Sequence, residues 1–162
     1  FRSDDGTSQN IAADADDSNS NPNNIDDEDG IVTFPTLETD DDSYSVTIDV
    51  TNTTSNPATL IGWIDFDRDG AFDADEAVST PVNVNDTSAT LTWNDSNIPS
   101  DIIGGATYAR FRLSSDGSAT FNPSTPGGSA TDGEVEDYQL SIITVRDYGV
   151  APDPTTGTGT GD

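Results

Sequence analysis

The chain has 162 residues with 5 basic and 31 acidic side chains, a formal net charge of −26. It lacks Cys, His and Met, and every basic residue is Arg. This excludes Ser-His-Asp and Cys-His catalysis, histidine or cysteine metal sites, disulfides, Schiff bases and lysine cross-links.

A surface this acidic repels nucleic acid and anionic lipid, and no apolar run is long enough to span a membrane. Neither nucleic-acid binding nor membrane insertion is therefore expected. Carboxylates at this density point first to a hard cation bound through oxygen. Hydrophobic residues make up only 31% of the chain, and low hydrophobicity with high charge is also the signature of disorder. The local pattern has to overcome that reading. With no initial Met, the chain reads as a processed or excised piece of something longer.

Residues 1–30 form an acidic lead nearly devoid of apolar side chains, expected to be ordered only in part and only with calcium. Residues 31–146 carry β patterning. Ile31–Phe34 predicts a first short strand. Tyr44, Val46, Ile48 and Val50 alternate strictly with polar residues and predict the next. Leu60–Ile64 and Ala77–Val84 follow, flanking an acidic loop. Ala89, Leu91 and Trp93 then share one face, as do Ala109, Phe111 and Leu113, and later Tyr138, Leu140 and Ile142. Turn clusters such as Asn52–Pro57, Asn94–Pro99 and Asn122–Gly128 separate these runs. No window shows a helical stripe. About seven strands over this length predict an all-β antiparallel sandwich, Ig-like or jelly-roll-like, with calcium-binding loops.

Between the third and fourth predicted strands lies Asp65-Phe-Asp67-Arg-Asp69-Gly70-Ala71-Phe-Asp73-Ala-Asp-Glu76. Carboxylates at loop positions 1, 3, 5, 9 and 12 with Gly at 6 reproduce the twelve-residue calcium loop of the EF-hand. Calcium takes six to eight oxygens, and alternate residues of a tight loop all point inward. Asp65, Asp67 and Asp69 would converge, the Ala71 carbonyl would add an oxygen, Asp73 would act through water, and Glu76 would close the shell. The flanks are strands rather than helices. The loop is thus grafted onto a strand-to-strand connection, and its ion is expected to be structural rather than signalling. An exposed acidic turn holding no ion is the alternative.

Asp26–Gly30 precedes the first predicted strand, and Gly133–Tyr138 opens the last. Two like-charged clusters approach each other only with cations between them; otherwise they are separate solvated charges. Arg110 and Arg112, two apart on one strand face, are expected to turn toward the acidic residues of the Gly133–Tyr138 run.

The run GEVEDY at 133–138 resembles the name-giving motif of the GEVED domain family, found in large secreted bacterial proteins. DDEDG (26–30), GWIDFDRDGAF (62–72) and YARFRLS (108–114) agree with it in order, so the resemblance covers about residues 9–146. It implies a secreted or cell-surface β-sandwich repeat of adhesin-like proteins. It also implies calcium at both acidic constellations, the second drawing on Asp17, Asp27, Asp29, Glu134, Glu136 and Asp137. DYGVAPDP (147–154) resembles the segment that opens a module in this family, so the chain is expected to be out of phase with it.

The leading functional expectation is a non-enzymatic, calcium-stabilised structural or adhesive module, with neighbouring modules or identical subunits as partners. Val145, Tyr148, Val150 and Ala151 make the C-terminal segment either a linker or a tail that docks on the next copy, head to tail, into a fibre. A carbohydrate-binding module is the alternative, with glycans as partners and Trp63 and Trp93 as stacking candidates, although both fall on apolar strand faces that favour core packing. A glycosidase pair at Glu134 and Glu136 is a third, weaker reading. Acceptor sequons stand at Asn52, Asn85 and Asn94.

Overall fold

The computed structural model describes residues 30–31, 33–117, 121–128, 130 and 132–146. Asp17, Asp27, Asp29 and the segment 147–162 lie outside the described residues. Seven strands run through them: β1 (Leu37–Glu38), β2 (Ser43–Asp49), β3 (Ala58–Ile64), β4 (Ala77–Val82), β5 (Ser88–Asn94), β6 (Gly105–Ser114) and β7 (Glu134–Ile143). Five form one sheet in the order β1-β7-β6-β3-β4, and β2 and β5 form a second. The expected all-β sandwich is present. Its pairs are antiparallel except for a short parallel contact of β1 with the end of β7.

The first predicted strand is corrected. Residues 33–36 are not in a ladder; the first strand is Leu37–Glu38. The backbone ahead of it is satisfied by side chains instead. Ile31 N–H donates to the Tyr138 hydroxyl, and the Pro35 carbonyl accepts from the Tyr44 hydroxyl. Proline itself has no N–H to give a ladder. The strand predicted to reach Val84 ends at Val82, because Asn83 N–H turns to the Asp86 carboxylate and Asn85 takes a positive φ of 68°.

The two sheets face each other through the alternating residues. Tyr44, Val46 and Ile48 of β2 lie opposite Trp93, Leu91 and Ala89 of β5. They pack in one cluster with Leu60 and Ile64 of β3 and Ala109 and Phe111 of β6. The wide sheet is also covered on its other side. There Ile61 and Trp63 of β3 pack with Phe72, Ala77 and Phe121. Phe121 comes from the connection between β6 and β7, which lies over the outer face and takes the Trp63 indole N–H on the Pro123 carbonyl at 2.9 Å. The middle of the wide sheet is therefore buried on both sides, and β3 and β6 show runs of buried residues where a two-layer sandwich would alternate. Trp63 and Trp93 are both fully buried, on opposite sides of this sheet.

Candidate metal centre

β3 and β4 pair in register up to Trp63 opposite Ala77. Residues 65–76 thus close a hairpin whose two ends are held at ladder spacing. The clamp that an EF-hand obtains from two helices comes here from two hydrogen-bonded strands. Inside the loop the backbone turns on Gly70, with φ +89° and open space around its α-carbon. The preceding acidic side chains fold back on N–H groups. Asp65 accepts from Asp69 N and Gly70 N at 3.1 and 3.2 Å, Asp67 accepts from Asp69 N at 3.0 Å, and Asp69 accepts from Ala71 N at 2.9 Å. Glu76 accepts from Phe66 N at 2.7 Å and Asp73 N at 3.0 Å, tying the last position to the second and ninth.

These contacts bring Asp65, Asp67 and Glu76 together, one carboxylate oxygen of each lying within 4.8 Å of the others. Asp69 and Asp73 belong to the same loop but stand outside that group. Ala71 is half-buried next to them. Asp65 and Glu76 are buried while Asp67 is exposed, so the group opens on one side. It opens beside a cavity of about 760 Å³ whose lining includes Asp67, Asp73, Asp75, Glu76, Asp95 and Asp40–Asp42.

Burial lifts the Glu76 carboxyl to about 8. Its bonds from Asp73 N and Phe66 N oppose the rise, and the charges of Asp65 and Asp67 add to it. Asp65 is also raised, chiefly by burial and further by Asp67; Asp73 is raised by burial and then by Asp69, Asp75 and Asp67. Three carboxylates so placed resist ionising together unless a cation or protons neutralise them. The donor set is all oxygen, which fits a hard divalent ion of the calcium type.

Supports of the loop that local spacing could not reveal come from elsewhere in the fold. Thr107 Oγ1 donates to the Asp65 carbonyl. Arg68, at φ 59°, reaches the carbonyls of Gly104 and Ala106 at 3.0 Å each. Trp93 and Asn97 hold the carbonyls of Glu76 and Asp75. No local signal marks these residues, since each acts across 17 to 42 positions of sequence.

The Gly133–Tyr138 run distributes its acids to opposite faces of β7. Asp137 faces outward and takes both Nε and Nη2 of Arg110, at 2.7 and 2.5 Å. Glu136 faces inward, accepting from Gly30 N at 3.3 Å and the Tyr138 hydroxyl at 2.7 Å. A Cβ at Gly30 would lie 2.6 Å from the Glu136 carboxylate, so a side chain there would displace that carboxylate from the Gly30 N–H. Glu134 is exposed. The structure thus does not bring Glu136 and Asp137 to one point.

The Arg expectation holds for Arg110 and is corrected for Arg112. Arg112 donates to the carbonyls of Thr125, Pro126, Gly127 and Gly128 and lies over the Phe121 ring, because the covering connection supplies its hydrogen-bond partners, while Asp137 acts on it only through its charge.

A family model described as GEVED domain matches residues 59–141, just over half of the chain. No curated protein and no solved structure matches it. The matched span runs from β3 to β7 and contains the 65–76 loop, both buried arginines and the motif strand.

Proposed function

The chain belongs to the GEVED domain family, and from that premise we propose a structural or adhesive module of a secreted or cell-surface protein, held together by calcium in the 65–76 loop. The observation that carries this reading is the convergence of Asp65, Asp67 and Glu76 within a twelve-position calcium loop whose ends are clamped by the β3–β4 ladder. A chain of net charge −26 resists compaction by self-repulsion, and a divalent ion at this point offsets part of it.

The chain enters and leaves the described fold at separate points. Gly30 lies beside Glu136 near the start of β7, and Val145 lies beside Thr39 past its end. β7 has ten residues, so these points are separated by roughly 30 Å, the rise of a ten-residue strand. The proposed partners are neighbouring modules or further copies of the chain.

The reading is non-catalytic. Glu136 is engaged by Gly30 and Tyr138, and Asp137 by Arg110. The two tryptophans considered as sugar-stacking surfaces are core residues, so no observation favours the carbohydrate-binding alternative.

The test is a calcium titration of metal-stripped protein by calorimetry with thermal melting in parallel. One ion bound through the loop and a higher melting temperature are expected. No binding and an unchanged melt would refute the reading.

A further inference from the structure

We propose that Trp93 and Asn97, supplied by the opposite sheet, are positioning residues of the metal loop, so that loop occupancy and the grip of the two-stranded sheet on the wide sheet are coupled. This rests on the calcium reading of residues 65–76.

The two sheets share no backbone ladder among the described residues. At the loop end they are joined by side-chain bonds instead. The Trp93 indole N–H, fully buried, donates to the Glu76 carbonyl at 2.7 Å. Asn97, in the turn after β5, donates its side-chain N–H to the Asp75 carbonyl at 2.9 Å and the Ala77 carbonyl at 3.4 Å. Its own backbone is fixed by Asn97 N–H on the Asn94 carbonyl at 2.7 Å. Three consecutive carbonyls, 75 to 77, are thus held from the other sheet.

The arrangement closes on itself. Phe66, the second residue of the loop, donates its N–H to the Glu76 carboxylate, and its ring stands edge-on to Trp93 at 6.5 Å. Trp93 therefore touches the loop twice, at the Glu76 backbone and at the Phe66 side chain. Glu76 is the only loop residue whose carboxylate faces the candidate ion while its carbonyl is held by the opposite sheet. Its rotation would move ligand and sheet together. Outer hydrogen-bond partners of ligands set ligand orientation, and losing one commonly costs 10–100-fold in metal affinity. Binding linkage is reciprocal, so the ion must in turn favour the bonded state of Trp93 and Asn97.

The experiment uses the full chain, stripped of divalent ions. Calcium dissociation constants are measured by calorimetry for wild type, Trp93→Phe, Asn97→Ala and the control Asn52→Ala, whose buried amide holds the Val82 carbonyl at the far end of β4 from the loop. Amide hydrogen exchange of the wild type is followed with and without calcium. We expect about ten-fold weaker calcium binding in Trp93→Phe and Asn97→Ala, unchanged stoichiometry, wild-type affinity in Asn52→Ala, and slower exchange in β5 and its following turn when calcium is present.

A merely structural role would lower the melting temperature of the stripped variants and leave the dissociation constant unchanged. That result in both variants overturns the proposal while the calcium reading stands. Exchange in β5 that is indifferent to calcium also overturns it, and needs no variant to fold. Absence of calcium binding in wild type overturns the reading and the proposal together.

Discussion

Arg110 and Asp137 stand directly opposite each other across the β6–β7 ladder, in a bidentate pair whose side chains are 1% and 0% exposed. A pair so far from water is costly to break, because the remaining charge is left uncompensated. Asp137→Asn is expected to lose about 3–5 kcal/mol in urea unfolding. The Arg110→Met, Asp137→Leu double variant should lose less than the sum of its single changes, since it buries no lone charge. Additive losses would show that the two side chains are not energetically coupled.

Calcium removal should destabilise the fold without any change of sequence. At free calcium about 100 times Kd, one site contributes about 2.7 kcal/mol, which moves the Tm of a domain this size by roughly 10 °C. Asp67 is exposed. Asp67→Ala should therefore leave the stripped protein within about 0.5 kcal/mol of wild type while abolishing the calcium-dependent rise in Tm. Differential scanning calorimetry with and without calcium checks both halves.

The pH dependence follows from Glu76, whose carboxyl rises from 4.5 to about 8 in the folded, metal-free chain. The folded state then binds a proton that the unfolded state releases, so stability falls as pH rises across that window. Asp65, raised as well, acts in the same direction. Stripped protein should melt at progressively lower temperature between about pH 4.5 and 8. In saturating calcium the fall should be smaller, because the cation replaces the proton, and calcium affinity should increase with pH. A Tm of the stripped protein that rises from pH 5 to 8 would contradict the assignment.

The sequon at Asn52 is a structural element. Asn52 is buried, its amide donating to the Asn56 and Val82 carbonyls at 2.9 and 3.1 Å while its oxygen accepts from Thr54. Asn52→Ala is expected to cost about 1–3 kcal/mol, the penalty of leaving buried groups unpaired. In a glycosylating host, peptide mapping should find folded protein unmodified at Asn52, whereas the exposed Asn94 stays accessible.

Gly133 opens the motif strand at φ +112°, and a Cβ there would lie 1.8 Å from the Leu113 carbonyl oxygen. Both strain and collision oppose a side chain. Gly133→Ala should destabilise by more than about 1 kcal/mol, read as an earlier urea midpoint, whereas Gly70→Ala meets only the φ penalty because nothing crowds it.

Several features are fixed by the sequence alone, because they depend on neighbours within a few residues. The period-two alternation of Tyr44–Val50 and Ala89–Trp93 sets strands with one buried face. The spacing of Asp65, Asp67, Asp69, Gly70 and Glu76 specifies an acidic loop that turns where only glycine is comfortable.

The tertiary structure decides what each outward face meets. Nothing local says that the connection carrying Phe121 and Pro123 folds over the wide sheet, and that event buries Trp63, Arg110 and Arg112 and sends Arg112 to carbonyls. Nothing local separates Glu136 from Asp137 in role either. Adjacent residues on a strand point to opposite faces, so one meets Gly30 and the other Arg110. The bonds from Trp93 and Asn97 to the loop likewise exist only once the second sheet has packed. A polar group's partner is set by what burial brings within about 3 Å of it, and burial is a property of the assembled layers.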